Sequence, residues 1–275
     1  MKAWRLEGLG GAFTFEDVPV PEVRPHSVLI RMEAVPLLSY LKDYVAGKLA
    51  TYSAPAGKFT PGTNGVGIIE AVGGEVWQLK VGQRVVLSPH FVTPENVEEP
   101  AQILIGLTSM GPGSAPLQGD WPDGTLAEFA LAPVSTVTPV EGLNGIATAQ
   151  IALLNRAIVP YGGLKRGRLA AGETLIVNGA TGAYGTAAVL LSLAMGAARI
   201  AAAGRNAAAL EALVKVAGPR VAAVQLTGDV TADAAKLRDA CGGGAEIAFD
   251  MVGRGGDAHP RWPRSRACAA AADLS

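Results

Sequence analysis

Residues 177–189 read VNGATGAYGTAAV, with glycines at 179, 182 and 185. Glycines this close together, between an apolar run and an alanine-rich one, leave the main chain bare. A diphosphate can then approach peptide N–H groups without meeting side chains. If a helix starts there, its first turn adds about half a positive charge. In the pattern G-x-G-x-x-G that binds dinucleotides, the three slots hold Ala180, Gly182 and Gly185. Alanine takes the first slot, and Gly179 just before it can relax the turn. Gly182 lets the backbone meet a pyrophosphate, and Gly185 lets a helix sit close on its strand. Thr181, Ala183 and Tyr184 fill the positions between. A tight turn without a ligand is the plainer alternative, and the strand and helix around the motif weigh against it.

A second group lies about 20 positions on, where an Asp or Glu would hold the ribose hydroxyls of NAD. Here the residues are Gly204-Arg205-Asn206, and no acid occurs between Arg199 and Leu210. A guanidinium pairs with a 2′-phosphate through two parallel hydrogen bonds. The expected cofactor is therefore NADPH rather than NADH. An ordinary exposed arginine is the alternative.

These residues need elements to position them, and the second half of the chain supplies a regular alternation. Strands are expected at Thr174 to Asn178, Arg199 to Ala203, Val221 to Leu226 and Glu246 to Met251. Helices are expected at Thr186 to Met195, Ala207 to Val216 and Ala232 to Ala240, after a helical stretch from Ala147 to Val159. Continuous apolar strands alternating with helices predict a parallel sheet covered on both faces. The first half reads as β-rich. Val28 to Ala34, Gly65 to Val72, Gln83 to Leu87 and Phe129 to Val134 are short strands with glycine turns, which predict a barrel-like β domain. Leu37 to Ala46 is its best helix. The boundary falls near residue 145.

Composition narrows the function classes. The chain has 275 residues, 49% hydrophobic and 17% charged, with net charge −1. That supports a sizeable core and gives no electrostatic reason to bind nucleic acid or an anionic membrane. Two cysteines, Cys241 and Cys268, cannot build a disulfide framework or a four-thiolate metal site. With no apolar run at the N-terminus, this fits a cytoplasmic location. The apolar stretch from Thr186 to Ala203 is interrupted by Gly196 and Arg199 and reads as a buried helix and strand rather than a membrane span.

Several motifs together resemble the medium-chain dehydrogenase/reductase family. They are Asp17-Val-Pro-Val-Pro21, Pro61-Gly-Thr-Asn-Gly-Val-Gly67, Val81-Gly-Gln-Arg-Val85, Gly124-Thr-Leu-Ala-Glu-Phe129, the turn at 179–185 and Asp250-Met-Val-Gly253. The resemblance covers residues 1 to about 256. It implies an α/β chain: an N-terminal GroES-like β-barrel domain over 1–145, and a Rossmann-type parallel sheet over 146–256 with hydride chemistry in a cleft. Val252 and Gly253, at the fourth strand's end, join the implied cofactor residues.

In the family's alcohol dehydrogenases a zinc ligand lies in Gly-His-Glu. This chain has Gly62-Thr63-Asn64 there, no cysteine near Ser39 and only three histidines in all. Threonine and asparagine replace imidazole or thiolate poorly on Zn²⁺, so no metal is expected. Without zinc, an alkoxide is hard to stabilise, because one hydroxyl or amide donor contributes only about 3–4 kcal/mol. Hydride addition to a quinone or a 2-enone makes a delocalised anion instead, so these are the expected substrates. The family's zinc-free quinone oxidoreductases agree. The resemblance puts Tyr40, Tyr44 and Tyr52 beside the substrate cleft. Tyr40 is the favoured hydrogen-bond or proton donor and Tyr52 the second, with simple packing an equal alternative for Tyr40. Asn64 is the group expected to orient a carbonyl. His90 is either a proton relay or a surface-loop residue. The zinc-free relatives often carry an Asn-Pro pair before the cleft helix, where this chain has Leu37-Leu38-Ser39. Two other readings remain: a zinc-type alcohol dehydrogenase relative, and a truncated nucleotide-binding protein without turnover.

The last residues, 257–275, fit none of this. They are rich in arginine and proline, carry His259 and Trp262, and show no strand pattern. Written with GC-ending codons and read from the third base of the His259 codon, the stretch can encode an amphipathic helix closed by glycine. The expectation is a frameshifted tail and an incomplete sheet. The fourth strand is then an exposed edge, the family's dimer-building strand is missing, and stability and turnover are poor.

Overall fold

The computed structural model of the chain describes residues 1–252 and 266–269. Its residues fall into two compact units, Met1–Asn155 and Arg156–Ser275.

In the first unit, alternation and glycine turns favour short antiparallel strands. Strand β1 (Lys2–Leu6) pairs with β2 (Phe13–Asp17), Leu6 facing Phe13. Strand β3 (Ser27–Ala34) is followed by a short helix, α1 (Leu41–Val45), and by β4 (Gly65–Val72) and β5 (Arg84–Leu87). A small sheet comes next: β6 (His90–Val92), β7 (Gln102–Leu104) and β8 (Thr108–Ser109). Helix α2 (Ala115–Asp120), β9 (Phe129–Pro133), β10 (Val137–Pro139) and α3 (Thr148–Ala152) complete it. The main sheet runs β10-β5-β4-β3-β9, all antiparallel. Register shifts between β3 and β4 at Leu29/Ile30 and Met32/Ala34 are irregularities of the kind that bend a strand and increase its twist. One core gathers Val28, Ile30, Ile69 and Val85. A second gathers Leu6, Tyr44, Phe59 and Leu107.

The second unit begins with most of helix α4 (Asn155–Arg166). The helical stretch expected from Ala147 to Val159 is thus two helices, with Leu153 and Leu154 exposed between them. Then follow β11 (Thr174–Asn178), α5 (Ala183–Ala194), β12 (Arg199–Gly204), α6 (Ala207–Ala217), β13 (Val221–Gln225), α7 (Val230–Ala240) and β14 (Ile247–Asp250). The sheet is parallel, in the order β13-β12-β11-β14, and is extended by β15 (Arg266–Ala269) beside β14. This is the 3-2-1-4 order of a dinucleotide fold with one more strand. The fold is the expected α/β one, a Rossmann-type sheet with a GroES-like domain. Leu175, Val177, Ile200 and Phe249 are fully buried in its core.

Strand β15 corrects two expectations: the tail does contain a strand, and β14 is not the sheet's edge. The segment Arg-Ala-Cys-Ala has no β-branched or alternating pattern to announce it. The unpaired N–H and C=O groups along β14 provide the pairing. Gly253, His259 and Trp262 lie outside the described residues, as does all of the expected frameshifted stretch except 266–269. Among the described residues no helix is long and apolar enough to cross a membrane.

Candidate functional site

The glycine turn is built from the end of β11 upward. Gly179 has φ +70°, a conformation that glycine adopts without penalty. A Cβ there would also press on Val252 Cγ2 at 3.0 Å. Gly179, rather than the first slot of the pattern, is therefore the residue that turns the chain. Ala180 fits its slot because it is fully buried and extended pairing continues, its N–H donating to the Ala203 carbonyl at 2.9 Å. Gly182 precedes α5 with φ −76° and ψ 168°, and no side chain caps the helix. Its added Cβ would meet only the Gly179 carbonyl oxygen, at 3.3 Å. At Gly185 the same atom would lie 2.0 Å from that oxygen, so no side chain fits. The first helical bond out of the turn is Thr186 N–H to Gly182 C=O at 2.9 Å. The Thr186 hydroxyl donates to the Ala180 carbonyl at 3.0 Å. Amides of the first turn precede this ladder, as at any helix start. Thr181, Ala183 and Tyr184 sit in the same segment, Ala183 exposed and the other two half-buried.

At the end of β12, Gly204 is buried against Thr181 and Leu210. A Cβ built on it would come to 3.5 Å from Thr181 Oγ1. Arg205 is exposed, and its backbone is held, because Gln225 Nε2 donates to its carbonyl at 3.2 Å. Asn206 serves the fold, since its Oδ1 accepts the Ala209 N–H at 3.1 Å and caps α6.

Sequence reasoning gave no role to two side chains at this end of the sheet, although Asp250 opens the motif Asp250-Met-Val-Gly253. Asn178 is buried and opposes Asp250 across the parallel register. Its Nδ2 donates to Asp250 Oδ1 at 3.0 Å, and its Oδ1 accepts the Gly179 N–H at 3.0 Å. Asp250 Oδ1 also accepts the Val252 N–H at 2.9 Å. The available signal was a polar residue closing each of two apolar strands, TLIVN and IAFD.

The expected catalytic side chains lie in the first unit. Tyr40 is not on the helix expected from Leu37. It precedes α1 with φ −97° and ψ 7°, and helix formation starts only after it. Its ring lies 5.8 Å from that of Tyr52, which meets Tyr44 edge-on at 5.7 Å. Tyr44 is fully buried and donates to the Leu107 carbonyl. Burial, and then Tyr52, push its phenol well above the usual tyrosine range. Asn64 directly precedes β4. It is buried, its Nδ2 donates to the Leu87 carbonyl at 3.2 Å, and its Oδ1 accepts the Thr63 hydroxyl at 3.0 Å. His90 opens β6 and is exposed, with Nε2 3.1 Å from Gln102 Oε1. Among the described residues no three His, Cys, Asp or Glu side chains gather as a metal site.

Comparison with known proteins places this geometry. Residues 24–142 match the alcohol dehydrogenase GroES-like domain. An alcohol dehydrogenase of Rhizobium meliloti is 32% identical over 196 residues, covering 71% of this chain and 55% of the relative. A quinone oxidoreductase of Mus musculus is 30% identical over 209 residues, covering 71% and 50%. The chain thus spans about half the length of the curated relatives it matches. Among solved structures, the quinone oxidoreductase of Thermus thermophilus, determined also in complex with NADPH, is 25% identical with a TM-score of 0.63. The match covers 94% of this chain and 68% of that one. With its GroES-like domain, its 3-2-1-4 parallel sheet and these relatives, the chain belongs to the medium-chain dehydrogenase/reductase family.

Proposed function

We propose that this chain is a cytoplasmic oxidoreductase that uses NADPH, without zinc, to reduce the carbonyl system of a quinone or 2-enone. The observation that carries the reading is the end of β12. Gly204 packs against Thr181 without a side chain of its own, Arg205 is exposed next to it, and residues 200–210 contribute no Asp or Glu to repel a 2′-phosphate. The residues fit the nucleotide: Gly182 offers bare main chain to a diphosphate, and Arg205 offers a guanidinium to the extra phosphate. When bound, the reduced nicotinamide supplies a hydride.

Substrate activation falls to hydroxyl groups. Tyr40 and Tyr52, both half-buried, are the donors for the carbonyl oxygen. Tyr44 is left out as a donor to substrate, because it is fully buried and its hydroxyl already donates to the Leu107 carbonyl. Asn64 has one amide N–H on Leu87, which leaves its second for orienting the substrate. The zinc-free reading is supported by Thr63 and Asn64, which bond each other. The relative named alcohol dehydrogenase favours the second reading, alcohol oxidation at a metal, and metal analysis of the purified protein distinguishes the two.

The test is a fluorescence titration of NADPH against NADH. The expected result is a clear preference for NADPH that Arg205→Ala removes, weakening NADPH about tenfold or more while NADH is unchanged. Equal affinities in the wild-type protein overturn the cofactor assignment. Oxidation of NADPH by quinones or enones, with simple ketones inert, tests the substrate class.

A further inference from the structure

We propose that Asn178 and Asp250 form a clasp that positions the nucleotide-binding turn, so that both act as positioning residues for the cofactor. The inference rests on the nucleotide reading given above. Four hydrogen bonds define the clasp. Gly179 N–H donates to Asn178 Oδ1, Asn178 Nδ2 donates to Asp250 Oδ1, Val252 N–H donates to the same Asp250 oxygen, and Met251 N–H donates to the Asn178 carbonyl. Together they tie the end of β11 to the end of β14, two strands 72 residues apart in sequence.

The first bond bears directly on the turn. Gly179 adopts φ +70°, and its carbonyl oxygen is the atom on which Gly182 and Gly185 close. The Gly179 peptide must therefore hold one orientation for α5 to begin where it does. Asn178 Oδ1 sets that orientation from the N–H side. Its amide is in turn kept from flipping by the Asp250 carboxylate, which accepts only from the NH₂ end. The same carboxylate fixes the Val252 N–H, and the Val252 side chain lies over Gly179. The expected reach of the clasp is both faces of the nucleotide site: the phosphate turn and the segment that follows β14.

A strand that needed only stability could end in an apolar residue here. A buried amide facing a carboxylate is useful where it fixes one hydrogen-bond pattern, because the alternatives leave a buried group unpaired. Exchanging the two residues offers a stringent check. In Asn178→Asp alone, two carboxylates face each other. In Asn178→Asp with Asp250→Asn, an amide and a carboxylate meet again with their order reversed. Residue 178 still accepts from Gly179, and residue 250 still accepts from Val252.

The experiment measures NADPH affinity by fluorescence titration, at a temperature well below each protein's melting point. Hydrogen exchange of peptides spanning residues 179–185 and 251–252 accompanies it. Asn178→Asp and Asp250→Ala are expected to weaken NADPH about tenfold or more and to speed exchange in both segments. The double exchange is expected to return affinity to within about threefold of the wild-type protein. If either single variant does not fold, the double exchange still decides: folded protein with affinity more than tenfold below wild type overturns the clasp. Unchanged affinity and exchange in a folded single variant also overturn it, while saturable NADPH binding by the wild-type protein leaves the nucleotide reading standing. A wild-type protein that does not bind NADPH overturns both.

Discussion

At the scale of single residues, the site is organised by atoms that are missing. Gly185 is the clearest case, since a methyl group there would sit 2.0 Å from the Gly179 carbonyl oxygen and 2.8 Å from Ala180 Cα. Both obstacles are backbone, which cannot rotate aside as a side chain can. Gly185→Ala should therefore lift the start of α5 off β11, at a cost of about 2–4 kcal/mol in stability. Urea denaturation measures this, and a variant within about 0.5 kcal/mol of wild type contradicts the packing. Cys241 illustrates the opposite arrangement, an occupied and closed position. Burial pushes its thiol up to about 11, a rise that Glu246 reinforces and Arg199 opposes. The unfolded thiol ionises near 9.0, so the protonated folded form contributes stability that is complete below that pH. The contribution falls away as pH rises toward 11. At pH 8, alkylation mapped to Cys241 by mass spectrometry should proceed only through unfolding and accelerate with added urea; fast labelling of the native protein contradicts this.

At the scale of elements, the sequence announced what was periodic and hid what was paired at a distance. The βαβ run from Thr174 to Asp250 was legible because buried parallel strands are continuous apolar words between amphipathic helices. Strands β1, β2, β6, β7 and β8 were not, being short and mixed in polarity, so that only their partners make them strands. Helix α1 shrank to Leu41–Val45, its start deferred beyond Pro36 and the non-helical Tyr40. Asn178 and Asp250 became a pair only through register. The same holds for three glycines that no local pattern connects. Gly62, Gly106 and Gly124 cross where three segments of the first unit meet, and a Cβ on Gly124 would lie 1.8 Å from the Gly62 carbonyl oxygen. This crossing carries Thr63 and Asn64 into place, with the Thr125 hydroxyl donating to the Asn64 carbonyl at 2.9 Å. Gly124→Ala should push the crossing apart and destabilise the protein by about 3–5 kcal/mol. Limited proteolysis should then open sites near residues 62–64 and 124–126 that are closed in the wild type. A variant as resistant as the wild type contradicts the account.

For the whole molecule, the two compact units carry different groups, and a ligand that binds only folded protein stabilises what it binds. The turn at Gly179 to Gly185, the Asn178–Asp250 clasp and Arg205 all belong to Arg156–Ser275. A ligand held by these residues should act on the melting of that unit. NADPH at 100 times its dissociation constant adds about 2.7 kcal/mol. For about 120 residues this corresponds to a rise of roughly 10 °C in the transition, since each kcal/mol moves a domain of that size by several degrees. NADH at the same concentration, bound about tenfold more weakly because Arg205 has no 2′-phosphate to meet, should add only about 1.4 kcal/mol and move it about half as far. A chelator tests the other half of the reading. A structural zinc contributes about 10–16 kcal/mol of folding free energy, so stripping one would collapse the unit that held it. With Thr63 and Asn64 bonded to each other, dialysis against EDTA should leave every transition in calorimetry where it was. Quinone reduction should survive it too. A transition lost to EDTA and restored by Zn²⁺ would show that residues other than these hold a metal.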